Sequence, residues 1–179
     1  MRGLPLILGL FLMSTDVCAE QADSLHHYNY SLQVMPGRLV ALDQYAERWI
    51  KKTPNLSLAA EVGRVALPND SDAFASDFGY PSLTLGLRYT LNNQVSLHRD
   101  PDPAWGQAKE VDYNSRLGNT LSLYGKFYRP FFRHLRWETA YSFSFGVGYS
   151  HLKYNKQNNI DNELIGTHAL IYFGAGVHA

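Results

Sequence analysis

Leu83-Thr84-Leu85-Gly86-Leu87-Arg88-Tyr89-Thr90-Leu91 alternates strictly: every odd-numbered residue is leucine or tyrosine, and every even-numbered one is threonine, glycine or arginine. A period of two places the odd set on one face of a β-strand, whereas a helix would scatter it around its circumference. Five more segments repeat the pattern. Upstream, Tyr28, Tyr30, Leu32 and Val34 alternate with Asn29, Ser31 and Gln33, and Leu56, Leu58, Ala60 and Val62 with Ser57, Ala59, Glu61 and Gly63. Downstream, Leu121, Leu123 and Phe127 oppose Ser122, Tyr124, Lys126 and Tyr128. Next, Leu135, Trp137, Tyr141, Phe143, Phe145, Val147 and Tyr149 oppose Arg136, Glu138, Ala140, Ser142, Ser144, Gly146 and Gly148. Last, Ala169, Ile171, Phe173, Ala175 and Val177 oppose His168, Tyr172, Gly174, Gly176 and His178.

A soluble sandwich also alternates, so the contents of the two faces decide between water and lipid. The polar face is made of Ser, Thr, Gly and Ala with isolated Glu61, Arg88, Lys126 and Glu138, which suits a narrow lumen where charges must pair. The apolar face is large and aromatic, as lipid contact requires. Tilted strands of about 9–11 residues cross a bilayer, and several segments reach that length. The fold class expected is therefore all-β, an antiparallel up-and-down transmembrane β-barrel.

The chain has 179 residues, with 16 basic and 16 acidic side chains, 13% aromatic residues and a mean hydropathy of -0.26. Zero formal charge supplies no electrostatic footprint for nucleic acid. The single cysteine, Cys18, supplies neither an internal disulfide nor a cysteine-rich zinc site. Residues 1–19 read as a secretory signal peptide, with Arg2, an apolar run from Leu4 to Met13 and small residues at Val17-Cys18-Ala19. An uncleaved anchor or a lipoprotein acylated at Cys18 is less well matched. Residues 20–179 then form the barrel domain. Among its connections, Arg129 to His134 with Pro130 reads as a short turn, while Asn92 to Arg116 and Ser150 to Leu164 read as long outer loops. Ala66 to Pro81 reads as an irregular segment or a further strand. Leu39, Leu42, Ala46, Trp49 and Ile50 have helical spacing, suggesting a short interfacial helix over Arg38 to Ile50.

From Leu117 to Gly176 the chain resembles the lipid A deacylase (PagL-like) outer-membrane barrels, especially the acyloxyacyl hydrolase-type proteins of Bacteroidetes. The residues carrying the resemblance are Gly118-Asn119, Leu123-Tyr124-Gly125, Phe127, Pro130, Arg133, Tyr141, Phe145-Gly146 and Tyr149, then Asn159, Asn162, Ile165-Gly166 and Tyr172-Phe173-Gly174-Ala175-Gly176. The resemblance implies an eight-stranded barrel in the outer membrane, in contact with its lipid and lipopolysaccharide, that hydrolyses ester-linked acyl chains of lipid A. It implies a serine nucleophile, a histidine base in a His-x-Ser-Asn motif and an orienting acid. None of the histidines at 26, 27, 98, 134, 151, 168 and 178 is followed by serine two positions on. No catalytic residue is therefore carried over, and no cofactor or metal is implied. With about six strands of an eight-stranded family, the expectation is a barrel incomplete at its C-terminus, lacking the catalytic hairpin and unable to close alone as a stable monomer.

Other constellations have plainer readings. His168 and Tyr172 share the inward face with Glu61 and Glu138, so a histidine–carboxylate pair is conceivable, but lumen filling explains them better. His26-His27 suggests a metal without a third ligand. Trp137, Tyr141, Phe143 and Tyr149 read as lipid contacts rather than a ligand box. Asp70-Ser71-Asp72 and Asp100-Pro101-Asp102-Pro103 suit turns as well as divalent cations, and Lys51-Lys52 beside Trp49 is a small patch for lipid phosphates. Two alternatives to the deacylase stand: a non-catalytic outer-membrane barrel acting through its loops or its structure, and a soluble lipocalin-like barrel with its large apolar residues inside.

Overall fold

A computed structural model of the chain describes residues 8–11, 17–18, 27–41, 47, 50–65, 67, 76–98, 115–134 and 137–178. These form eleven strands: β1 (Leu8–Phe11), β2 (Val17–Cys18), β3 (Tyr28–Val40), β4 (Ile50–Lys52), β5 (Pro54–Val65), β6 (Ser82–Leu91), β7 (Ser96–Leu97), β8 (Ser115–Arg116), β9 (Thr120–His134), β10 (Trp137–Ser150) and β11 (Ala169–His178). The six alternating segments are the six long strands, β3, β5, β6, β9, β10 and β11. They pair as neighbours in that order, every pair antiparallel, in one curled half-barrel sheet. β1 and β2 lie antiparallel along β3, and β1 also approaches β11, so the curl brings the two ends of the sheet towards each other.

Burial is inverted relative to a water-soluble sheet. Leu32 is 73% exposed, Phe145 67% and Ile171 71%, whereas Ser57, Glu61, Arg88 and Ser142 are buried on the concave side. The large apolar residues thus face outward and the polar ones inward, opposite to a lipocalin-like interior.

Up-and-down pairing places the connections after β3, β6 and β10 at one end of the sheet. The aliphatic core sits at this end and not between sheets. Leu39, Val95, Leu97, Leu117 and Ile165 pack with Ile50, Leu164 and Leu170, over the small antiparallel sheet β4-β7-β8. Asparagines join the long connections: Asn159 Nδ2 donates to the carbonyls of Arg116 (3.1 Å) and Lys153 (2.9 Å), and its Oδ1 accepts from the Arg116 amide at 2.8 Å. Asn92 Nδ2 donates to the carbonyl of Gly118 at 2.8 Å.

Three connections differ from the sequence reading or complete it. The expected turn from Arg129 to His134 is strand. The β9–β10 ladder continues through Phe132 opposite Thr139 to His134 opposite Trp137, leaving residues 135 and 136 between the strands. Proline cannot donate to a ladder, but here Pro130 pairs with Ala140 where the register shifts and Phe131 is the extra residue, a bulge that accommodates it. The expected helix over Arg38 to Ile50 is corrected at both ends, where Arg38, Leu39 and Val40 belong to β3 and Ile50 to β4, while Glu47 between them is helical. Leu39 is buried because β3 delivers it to the loop core, a tertiary demand that overrides helical spacing. Leu42, Ala46 and Trp49 lie outside the described residues, as does Leu135. Finally, the described part of Ala66 to Pro81 contains no strand: Ser76 and Asp77 are helical, and Gly79 (φ 72°) and Tyr80 (φ 56°), two consecutive left-handed residues, turn the chain towards β6.

Candidate functional site

Register builds the concave face row by row. One row crosses all six long strands: Ser31 opposite Glu61, Glu61 opposite Gly86, Gly86 opposite Tyr124, Tyr124 opposite Gly146, and Gly146 opposite Tyr172. Large and small residues alternate, so each tyrosine lies over a neighbouring glycine. A methyl group on Gly86 would overlap the Tyr124 ring, and one on Gly146 would overlap the Leu123 carbonyl and Tyr124. The Tyr124 and Tyr172 rings stack with centroids 4.8 Å apart. Gly86→Ala is therefore expected to push Tyr124 off its strand neighbour and destabilise the fold by about 1–3 kcal/mol, as overpacking does, read as an earlier midpoint in urea unfolding.

Tyr124 Oη donates to Glu61 Oε1 at 2.7 Å. The other carboxylate oxygen accepts from Gln33 Nε2 (3.2 Å) and Ser31 Oγ (3.3 Å), and forms an ion pair with Lys126 from the adjacent row. A carboxylate with this many donors has its hydrogen-bonding capacity filled, which fits a structural anchor better than a general base. Arg88 on β6 is the second centre. Its guanidinium donates to Tyr172 Oη on β11 at 2.7 Å and to the Met35 thioether on β3 at 2.9 Å. It thus links the first and last long strands across the concavity.

Nearer the end opposite the long connections, Ser142 Oγ and His178 Nε2 are 2.8 Å apart, on β10 and β11. Tyr128 packs its ring on His178, centroids 5.2 Å apart, and donates its hydroxyl to Glu138 Oε1 at 2.8 Å. A serine, a histidine and a carboxylate therefore share one region. Acyl transfer also needs donors aimed at a developing oxyanion. The β10 backbone beside Ser142 is instead paired on both sides, with β9 and with β11.

The residues singled out in the sequence fall as follows. His168 joins no carboxylate pair: its Nδ1 contacts the Ser150 carbonyl at 2.8 Å and its ring stacks on Tyr149, while Glu61 and Glu138 hold other partners. Trp137, Phe143 and Tyr149 are exposed on the convex face. Tyr141 packs edge-on to Phe143 and near Phe131 and Phe127, making an outward aromatic cluster and no enclosed box. Lys51 and Lys52 are exposed on β4. Trp49, His26, Asp70-Ser71-Asp72 and Asp100-Pro101-Asp102-Pro103 lie outside the described residues. Among the described residues no three His, Cys, Asp or Glu side chains are grouped to hold a metal ion. The Ser142–His178 pair was missed because a motif search runs along the chain, whereas these residues meet across strands. Their shared inward parity was the available signal. No protein-family profile, curated protein or solved structure matches the chain.

Proposed function

We propose that the chain is an outer-membrane β-barrel of the lipid A deacylase type, its convex face in lipid and its polar concave face forming a lumen. The observation carrying the membrane reading is the inverted burial of the six long strands. Dimensions support it. Tyr141 to Tyr149 on β10 spans roughly 26 Å at about 3.3 Å per residue, or roughly 20 Å across a bilayer at a tilt near 40°. Extending to Trp137 gives roughly 30 Å, and outer-membrane barrels carry an apolar band about 25 Å tall between aromatic girdles. Among the described residues no helix is long and apolar enough to cross a membrane, and on this reading the strands cross it. By the usual asymmetry of such barrels, the long connections carrying the aliphatic core face outward.

Hydrolysis of lipid A acyl esters is the activity that the sequence resemblance favours. A second reading, a non-catalytic barrel acting through its capped loops, is favoured by the Ser142–His178 pair. That pair lies at the end away from the long connections, and the backbone beside it is committed to ladder bonds.

One experiment separates the readings: expression in a Gram-negative host, fractionation of the envelope, and mass spectrometry of lipid A. Recovery in the outer membrane with lipid A lighter by one acyl chain supports the deacylase. Recovery there with unaltered lipid A supports the non-catalytic barrel. Recovery as a soluble periplasmic protein overturns both.

A further inference from the structure

Among the described residues of the six long strands, the outward face carries one glycine, Gly125. The row containing it runs Tyr30, Val62, Leu85, Gly125, Phe145 and Phe173 across all six long strands, each residue opposite the next. Every other member is large and apolar. A groove of about 500 Å³ opens there, walled by Leu83, Leu85, Phe127, Phe143, Phe145 and Phe173, with Thr84, Lys126 and Ser144 bordering its floor beside Gly125.

The molecule itself does not require this glycine. Methyl groups on Gly63, Gly86 or Gly146 would overlap neighbouring atoms, and Gly79 and Gly118 have left-handed backbones. At Gly125 a Cβ would meet nothing within 4 Å, and its φ is not left-handed. Glycine in a strand interior weakens the strand and often marks close approach by a ligand.

We propose that the groove at Gly125 seats one acyl chain of a membrane lipid; this rests on the membrane reading above. Gly125 is level in register with Phe145, midway between Tyr141 and Tyr149 on β10, hence at the centre of the apolar band, where the surrounding bilayer offers hydrocarbon. The walls are phenyl and leucyl groups, and the groove is open on its outer side, so a linear chain enters laterally and stays continuous with its headgroup. Its volume lies within the usual range of about 300–1,000 Å³ for ligand sites.

The test uses the full chain in phosphatidylethanolamine vesicles containing a phospholipid with a photoactivatable diazirine at mid-acyl depth, and maps adducts by peptide mass spectrometry. Adducts on Leu85, Phe127, Phe143 and Phe145 should exceed those on the equally outward Leu32, Val147 and Ile171 several-fold. Gly125→Leu, whose Cβ meets nothing within 4 Å, should abolish that excess while leaving labelling of the other outward residues unchanged. Even labelling over the whole band, or an excess that survives Gly125→Leu, overturns the groove and leaves the membrane reading standing. Absence of outward labelling overturns the membrane reading itself. Light scattering in detergent supplies the last arm: a dimer that Gly125→Leu dissociates makes a second copy of the chain the occupant and overturns the proposal, whereas a monomer unaffected by the substitution supports it.

Discussion

Glu61→Leu is expected to destabilise the protein by about 3–5 kcal/mol, the range for removing one partner of a buried ion pair. The Glu61 side chain is 5% exposed and that of Lys126 12%, and the same carboxylate accepts from Tyr124, Gln33 and Ser31. Leucine leaves the ammonium and three other donors facing hydrocarbon. Adding Lys126→Met removes the stranded charge, and the double variant should recover much of the loss, because a buried pair replaced by apolar residues is often near neutral. Urea unfolding of both variants in phospholipid vesicles, followed by tryptophan fluorescence, reads the difference. A single variant within about 1 kcal/mol of the parent, the size of an exposed ion pair, would show that the carboxylate does not hold the concave face together.

Phe145→Arg, compared with Phe145→Ala to remove the lost aromatic area, should cost about 2–4 kcal/mol in vesicles, the penalty for arginine at the midplane on a barrel's lipid face. The same comparison at Trp137 and Tyr149, near the two ends of β10, should cost about 0–1 kcal/mol. A depth profile of this shape follows only if a bilayer surrounds the convex face. On a water-exposed surface all three substitutions would fall within about 0.5 kcal/mol of their alanine references, and that flat result would sink the membrane reading.

The long strands were legible because their periodicity is local. Leu83 to Leu91 declares both its conformation and its two faces without reference to any partner. The face contents were legible too: inward Ser142 and Ser144 and outward Phe143 and Phe145 lie where parity put them. What the sequence hid depends on partners. The row from Ser31 to Tyr172 exists only once five registers are set, and each register is a choice among slips of two residues that preserve the same faces. The Ser142–His178 contact was hidden for the same reason. Pro130 looked like the centre of a turn because its missing donor is a local fact, while the bulge that accommodates it belongs to the pairing with β10. Leu39 and Ile50 suggested a helix because their spacing is helical, yet their burial comes from loops far away in the chain.

Arg88 has a consequence for the order of assembly. Its contact with Met35 closes 53 residues and that with Tyr172 closes 84, while β9 and β10 pair from His134 opposite Trp137, neighbours in the chain but for two residues. Loop-closure entropy must be met before distant contacts return any free energy. Short-range hairpins therefore come first, and the guanidinium finds both acceptors only after β3 and β11 have swung together. Arg88 reports the arrival of the two ends and is, in kinetic terms, a latch that shuts last.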